Sequence, residues 1–323
     1  MAADDRTGAF EVAGLLAVVT GPVRVTVGDA PAGSGVVDLG SRSLPLAEAA
    51  ERAASVECSR SAWSAHKIDS TLRGNWAGEL LARQAVSGRR VVVLPGWPEL
   101  GRTCVGSIVR VHGEPIGRPI DQLPDAAGLA DVEALRSWLA RDRAVAICDV
   151  PDTDTMRQLV EVLASEDVLI AGPGGPIGAA FAARHSSSTA SSPPPVRGAI
   201  AVVCGSANPV SHEQLRRLSI ARPDIHIISV PPTDGELRPD VATVLANRAA
   251  SQVADACPDT LVIIGGDTSA ALLGDAPRSV GGFVAPGMPW SRDHVGGGPL
   301  VITKAGGFGG PDALVDLLRG END

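Results

Sequence analysis

Thr260-Leu-Val-Ile-Ile264-Gly265-Gly266-Asp267-Thr268 is the stretch on which the reading of the fold turns. Its first five residues are apolar or β-branched with no polar alternation, the pattern of a strand covered on both faces. Two glycines then allow a sharp turn, and Asp267 or Thr268 can cap a helix over Thr268–Leu273. The same order recurs on both sides. Ala199–Cys204 runs into Gly205-Ser206-Ala207-Asn208, and Leu300–Thr303 runs into Lys304-Ala305-Gly306-Gly307-Phe308-Gly309-Gly310. Ile225–Val230 adds a strand, and His212–Ser219, Asp240–Ala256 and Pro311–Arg319 read as helices. Ligands of such folds bind beyond the carboxyl ends of the strands, where these glycine- and hydroxyl-rich segments lie.

Upstream the alternation continues. Val23–Val27, Arg90–Leu94, Ala144–Val150 and Val168–Ala171 are short β-branched runs. Between them lie the amphipathic stretches Leu46–Ala54, Glu79–Ala85, Val132–Ala140 and Asp154–Ala164. The segment from His185 to Arg197, dense in Ser and Pro, has the composition of a solvated linker. The expectation is an α/β protein of two domains, 1–184 and 198–323, joined by the linker 185–197. Each domain is a mostly parallel sheet flanked by helices, with the active site in the cleft between them.

The chain of 323 residues is 44% hydrophobic and 20% charged, which supports a normal core, and only 3% aromatic, which makes that core aliphatic. Its net charge of −9 argues against a nucleic-acid partner. The five cysteines form no CxxC pair, no histidine has metal-ligand spacing, and no apolar run reaches membrane-spanning length. These features, with acidic residues where a basic leader would begin, predict a cytoplasmic protein that keeps away from membranes and holds no metal in a protein cage.

Lysine occurs twice, against 26 arginines, as Lys67 and Lys304. A retained lysine in an arginine-biased chain suggests a tight site that takes a compact ammonium and not a planar guanidinium. Lys304 precedes a glycine loop rich in N–H groups. With Ser206, Gly265, Gly266, Asp267, Thr268, Gly306 and Gly307 it reads as a nucleotide site, in which backbone amides and a helix N-terminus receive phosphates. Neither a Walker A pattern nor a GxGxxG after a strand is present, which sets aside P-loop ATPases and dinucleotide-dependent dehydrogenases.

Lys67, Asp69, Ser70, Thr71 and Arg73 pack five polar side chains into seven residues, a mixture suited to a ligand with a carboxylate and hydroxyls. Arg42, after a strand-like run, adds a cation. Asp4 and Asp5 precede a helix-like run, and either could accept the proton of an attacking hydroxyl. Gly101-Arg102-Thr103 forms a loop that could border the substrate.

Taken together, six segments resemble the four-carbon acid sugar kinase family: Ala3–Ala9, Lys67–Asn75, Gly101–Thr103, Gly205–Asn208, Gly265–Thr268 and Lys304–Gly309. The resemblance implies an ATP-dependent kinase that phosphorylates a hydroxyl of threonate, erythronate or a related acid. The sugar acid would bind the first domain and ATP the second, with Mg2+ held through the phosphates and Gly307 the main single contact. Sugar acid and ATP are the implied partners, and homo-oligomerisation is left open. One departure bears on the base: family members begin with a full strand, and here only Met1-Ala2-Ala3 precede Asp4. The competing expectation is a relative that binds nucleotide and metabolite without turnover because that first strand is truncated.

Overall fold

A computed structural model describes residues 1–31, 33–58, 62–141, 144–185, 192–230 and 239–319, with the side chains of 239–243 left aside. Residues 186–191 of the expected linker lie outside the described residues.

The amino-terminal half begins with β1 (Ala2–Ala3), α1 (Arg6–Thr20), β2 (Val23–Val27), β3 (Val36–Asp38), α2 (Leu46–Ser55), β4 (Ser64–Lys67), α3 (Trp76–Ser87) and β5 (Arg90–Val93). A small antiparallel sheet follows, made of β6 (Arg102–Val105), β7 (Ile108–Val111) and β8 (Glu114–Gly117). The half closes with α4 (Pro119–Gln122), β9 (Ala127–Leu129), α5 (Val132–Leu139), β10 (Val145–Cys148), α6 (Thr153–Leu163), β11 (Val168–Gly172) and α7 (Gly174–Arg184). The carboxyl-terminal half contains β12 (Ile200–Cys204), α8 (Pro209–Ala221), β13 (His226–Ser229), α9 (Pro239–Ala256), β14 (Thr260–Ile264) and α10 (Gly266–Leu273). It ends with β15 (Arg278–Ala285), β16 (Met288–Asp293), β17 (Leu300–Lys304) and α11 (Ala313–Leu317).

Both halves are α/β, as the strand–loop–helix pattern predicts, and they share one sheet. Its order is β13-β12-β14-β17-β16-β15-β2-β3-β1-β4-β11-β5-β10-β9. Eight strands from β2 to β9 pair in parallel, and so do β13, β12, β14 and β17. The antiparallel ribbon β15–β16 joins the two blocks, pairing with β2 on one side and β17 on the other. The blocks therefore run in opposite senses. Strand twist of about 20–25° per step accumulates to roughly 120–150° over the six steps from β14 to β1, which swings the two carboxyl edges back toward one another.

Alternate residues of each strand bury against different helix layers. Val92 joins the core under α1, α6 and α7, whereas Val91 and Val93 pack under α3. In the second block Val202 and Cys204 face the core of α8 and α11, and Ala201 and Val203 face α9. Helix α1 crosses the joint: a methyl group at Gly14 would stand 2.8 Å from the Phe283 ring, so only glycine lets α1 lie this close to β15. The buried Arg6 ties the same joint from Asp38 (Nε–Oδ2 2.6 Å) to the carbonyl of Gly274 (3.0 Å).

The two-residue β1 is central. Ala2 and Ala3 pair with Val37 and Asp38 of β3 and with His66 and Lys67 of β4. Short as it is, β1 sets Asp4 and Asp5 at the carboxyl edge of the block.

Candidate active site

Asp5 follows β1 by two residues and caps α1. Its backbone is extended, and Oδ1 accepts the Gly8 N–H at 2.8 Å, satisfying one of the free donors of the first turn. Asp4 is fully buried. The Arg42 guanidinium forks onto both Asp4 oxygens (2.8 and 3.0 Å) and reaches Asp5 Oδ2 at 2.8 Å and Asp69 at 3.6 Å. Burial, reinforced by the neighbouring Asp5, pushes the Asp4 carboxyl up to about 6 despite Arg42. The loop that carries Arg42 is pinned by the Asp4 carbonyl, which accepts the N–H groups of Ser41 and Arg42. Asn75 holds it from the other side, donating to the carbonyls of Ser41 (3.0 Å) and Leu44 (2.8 Å).

The polar run after β4 folds onto itself. Asp69 accepts from the Thr71 hydroxyl, from the Thr71 N–H (3.1 Å), and from the Arg73 side chain at 3.0 Å through both Nε and Nη2. Burial opposes ionisation of Asp69, but Arg73, Arg42 and Thr71 outweigh it and hold its carboxyl well below the usual range. Arg73 is exposed beyond this pair. Lys67 is buried at the end of β4; its ammonium donates to the Ile68 carbonyl (2.9 Å) and stands 3.8 Å from Glu11. Ser70 accepts from Arg102 Nε at 3.1 Å.

Behind this wall Glu57, Arg83, Ser64, His66 and Glu79 form a buried polar chain. Burial lowers His66, which as a neutral ring donates from Nε2 to Glu79 (2.9 Å) and accepts from Arg83 at Nδ1 (3.1 Å). These hydrogen bonds brace β4 from its far face and leave one Glu79 oxygen, Oε1, without a partner among the described residues. Among the described residues no cluster of His, Cys, Asp and Glu could hold a metal ion.

The second wall is made of backbone. Gly265 adopts φ +111°, a conformation only glycine takes readily, and α10 starts there with no side-chain cap. Its first N–H groups and its dipole therefore face outward, ready for an anion. A methyl group at Gly306 would stand 2.1 Å from Ser206 Oγ, and one at Gly307 would stand 2.8 Å from Asn208, so three strand-end loops meet here. Thr268 is buried and Asp267 exposed. Lys304 is fully buried and turns inward: its ammonium donates to the carbonyls of Ala305 (3.0 Å) and Gly306 (2.9 Å). Burial lowers it to about 8. Ser211 of α8 donates to the carbonyl of Gly306, and Gln214 to those of Phe308, Gly309 and Gly310.

The walls touch. A methyl group at Gly266 would stand 2.8 Å from Thr7 Oγ1 and 3.2 Å from Asp5 Oδ2. Asp5 thus stands at the contact with Arg42, Lys67, Asp69 and Ser70 beside it, and Gly266 faces it with Gly265, Ser206, Gly306 and Gly307 behind, while Asp4 and Thr268 are buried. The sequence reading passed over Thr7 and Glu11. Both follow from the helical period, because positions 7 and 11 repeat the face of α1 that carries Gly8 against Lys67. Burial raises the Glu11 carboxyl, with Lys67 pulling the other way.

These features define a two-part α/β protein in which a wall of acidic, basic and hydroxyl side chains meets a glycine-rich turn. The comparisons agree: residues 1–122 match a sugar-binding N-terminal domain and residues 230–314 a nucleotide-binding C-terminal domain. The chain belongs to the four-carbon acid sugar kinase family. It is 36% identical over 146 residues to a D-threonate kinase of Cupriavidus necator, a match that spans 41% of this chain and 34% of that relative's length. Solved proteins from Salmonella typhimurium LT2 (TM-score 0.78, 18% identity) and Haemophilus influenzae (TM-score 0.70, 18% identity) each match over 98% of both chains. At these identities the likeness is one of fold. No helix among the described residues is long and apolar enough to cross a membrane.

Proposed function

We propose that the chain is an ATP-dependent kinase that phosphorylates a hydroxyl of a four-carbon sugar acid of the threonate or erythronate type. The observation that carries this reading is the approach of Gly266 to Asp5: the anion-receiving turn and the candidate base share one cleft. Residues 1–184 hold the acid and 198–323 the nucleotide. Asp5 takes the proton of the attacking hydroxyl, since its Oδ2 edge faces Gly266 whereas Asp4 is buried under Arg42. Asp4 and Asp69 hold Arg42 in place beside the reacting centre, and Arg73 and Thr71 hold Asp69. Lys67 and Ser70 contact the acid.

Three features support ATP on the nucleotide side: glycines that let the strand-end loops pack closely, an uncapped helix start and a buried lysine. Ser206, Gly265 to Thr268, Gly306 and Gly307 would hold ATP, and Lys304 would shape their loop. ATP supplies the transferable phosphoryl group, with Mg2+ carried on its phosphates. The D-threonate kinase relative supports the substrate class.

A coupled ADP-release assay over threonates, erythronates and related hydroxy acids tests the reading. ADP formation that depends on one of these acids is expected. ATP binding with no acid-dependent turnover would replace the reading with that of a binding protein.

A further inference from the structure

Glu11 lies beyond the point where Gly266 meets Asp5; burial raises its carboxyl, and Lys67 and Arg102 both stand close enough to favour its charged form. Glu11 is one helical turn beyond Thr7 on α1, 3.8 Å from Lys67 and against the first residue of α7, where a methyl group at Gly174 would stand 3.0 Å from its Oε2. Arg102 is firmly held. Its backbone bridges Trp97 in both directions (2.7 and 3.1 Å), and the Trp97 ring packs on Gly175. Its Nη1 donates to the Leu100 carbonyl (2.6 Å) and its Nε to Ser70 (3.1 Å). Among the described residues Nη2 has no hydrogen bond recorded, so one corner of this guanidinium keeps donors for a ligand.

The other arginines of the wall differ. Arg42 is committed through Nε, Nη1 and Nη2 to the carboxylates of Asp4, Asp5 and Asp69, and Arg73 is committed to Asp69. A substrate carboxylate at either would compete with ion pairs already made. Distance favours the far end as well. At 1.5 Å per residue Asp5 and Glu11 stand about 9 Å apart along α1. A four-carbon acid spans about 5 Å, and a hydrogen bond of about 2.8 Å at each end brings the total to roughly 10–11 Å, within the reach that the two carboxylate side chains add to that separation.

We propose that Arg102 and Glu11 read the carboxylate end of the acid: Arg102 binds the carboxylate, and Glu11 accepts a hydrogen bond from the hydroxyl beside it. The pair then sets which hydroxy acids are accepted, with the opposite end of the chain left at Asp5. This assignment rests on the kinase reading above.

Steady-state kinetics of wild type, Arg102→Gln and Glu11→Gln would test it with four probes: D-threonate, D-erythronate, 3,4-dihydroxybutanoate, which lacks the C2 hydroxyl, and threitol, which lacks the carboxylate. Arg102→Gln is expected to raise the KM of the acids by about 10- to 100-fold and to leave the KM of threitol and of ATP unchanged. Glu11→Gln is expected to abolish the preference for the acids over 3,4-dihydroxybutanoate. An active wild type whose acid-to-threitol and hydroxy-to-deoxy ratios survive both substitutions overturns this inference alone. A wild type that releases no ADP with any acid overturns the kinase reading, and this one with it. Should either glutamine variant fail to fold, Arg102→Lys and Glu11→Asp read the same ratios.

Discussion

The two walls of the cleft solve different recognition problems with different parts of the chain. The amino-terminal wall is built from charged side chains that largely neutralise one another: Asp4, Asp5 and Asp69 around Arg42, and Arg73 on Asp69. The carboxyl-terminal wall has little charge near the loop and relies on glycine backbone, and its one lysine is turned away from the cleft onto carbonyl groups. Each wall has a buried lysine at the end of a strand, and each ammonium donates to the carbonyl of the next residue. The lysines thus shape both turns. A small chiral acid needs side chains at fixed positions to tell its hydroxyls apart, whereas phosphates need closely approaching N–H donors. On the proposed function, the contrast follows from the ligands.

The sharpest way to break this contrast is at Asp5. Asparagine caps a helix as well as aspartate does, so Asp5→Asn keeps α1 but removes the base. A fall in kcat of about 10²- to 10⁴-fold is expected, with KM for acid and ATP little changed. Loss of acid or ATP affinity with kcat intact would make Asp5 a binding group instead.

Next comes the contact between the walls. Gly266→Ala puts a methyl group 2.8 Å from Thr7 Oγ1 and 3.2 Å from Asp5 Oδ2. Forcing the walls apart by a fraction of an ångström to 1 Å should cost up to about 100-fold in kcat/KM for transfer. Gly310→Ala, where a methyl group meets nothing within 4 Å, serves as the control. Equal rates for the two variants would mean that the walls need not meet.

A smaller effect concerns stability. The Asp4 carboxyl sits at about 6 in the folded protein against an ordinary 3.8, so the folded state holds its proton more tightly. The resulting stabilisation is complete below 3.8 and is lost as pH rises through 6. Asp4→Asn mimics the protonated form. Its stability in urea relative to wild type should therefore improve from pH 4 to pH 7, by at most about 2–3 kcal/mol. A constant difference across that range would remove Asp4 from the charge-neutralised wall.

Much of this was legible from residue order. Parallel βα units announce themselves through short apolar strands followed by glycine or capping residues, and β12, β14, β17, β5 and β11 were read in that way. Among the strands that escaped, composition hides four, whereas β3 and β6 to β9 escaped as short segments inside stretches read as loop. β4 is Ser-Ala-His-Lys, polar because its two faces serve the Arg83 network and the cleft. β15 and β16 carry Gly281, Gly282 and Pro289, which read as loop, and yet they fuse the two sheets. β1 has two residues, too few for any pattern, and its pairing with both neighbours makes it central. At the site, motif residues were recognisable by type. That Lys304 faces its own loop and that Glu11 enters the cleft depend on side-chain direction, which composition does not carry.

The most direct test is a structure of the protein with a non-hydrolysable ATP analogue and threonate or erythronate bound together. The γ-phosphate is predicted over the Gly265–Gly266 turn, with one substrate hydroxyl about 3–3.5 Å from it and hydrogen-bonded to Asp5. A nucleotide bound away from the glycine loops, or an acid bound outside the wall of Asp5, Arg42 and Lys67, would contradict the account.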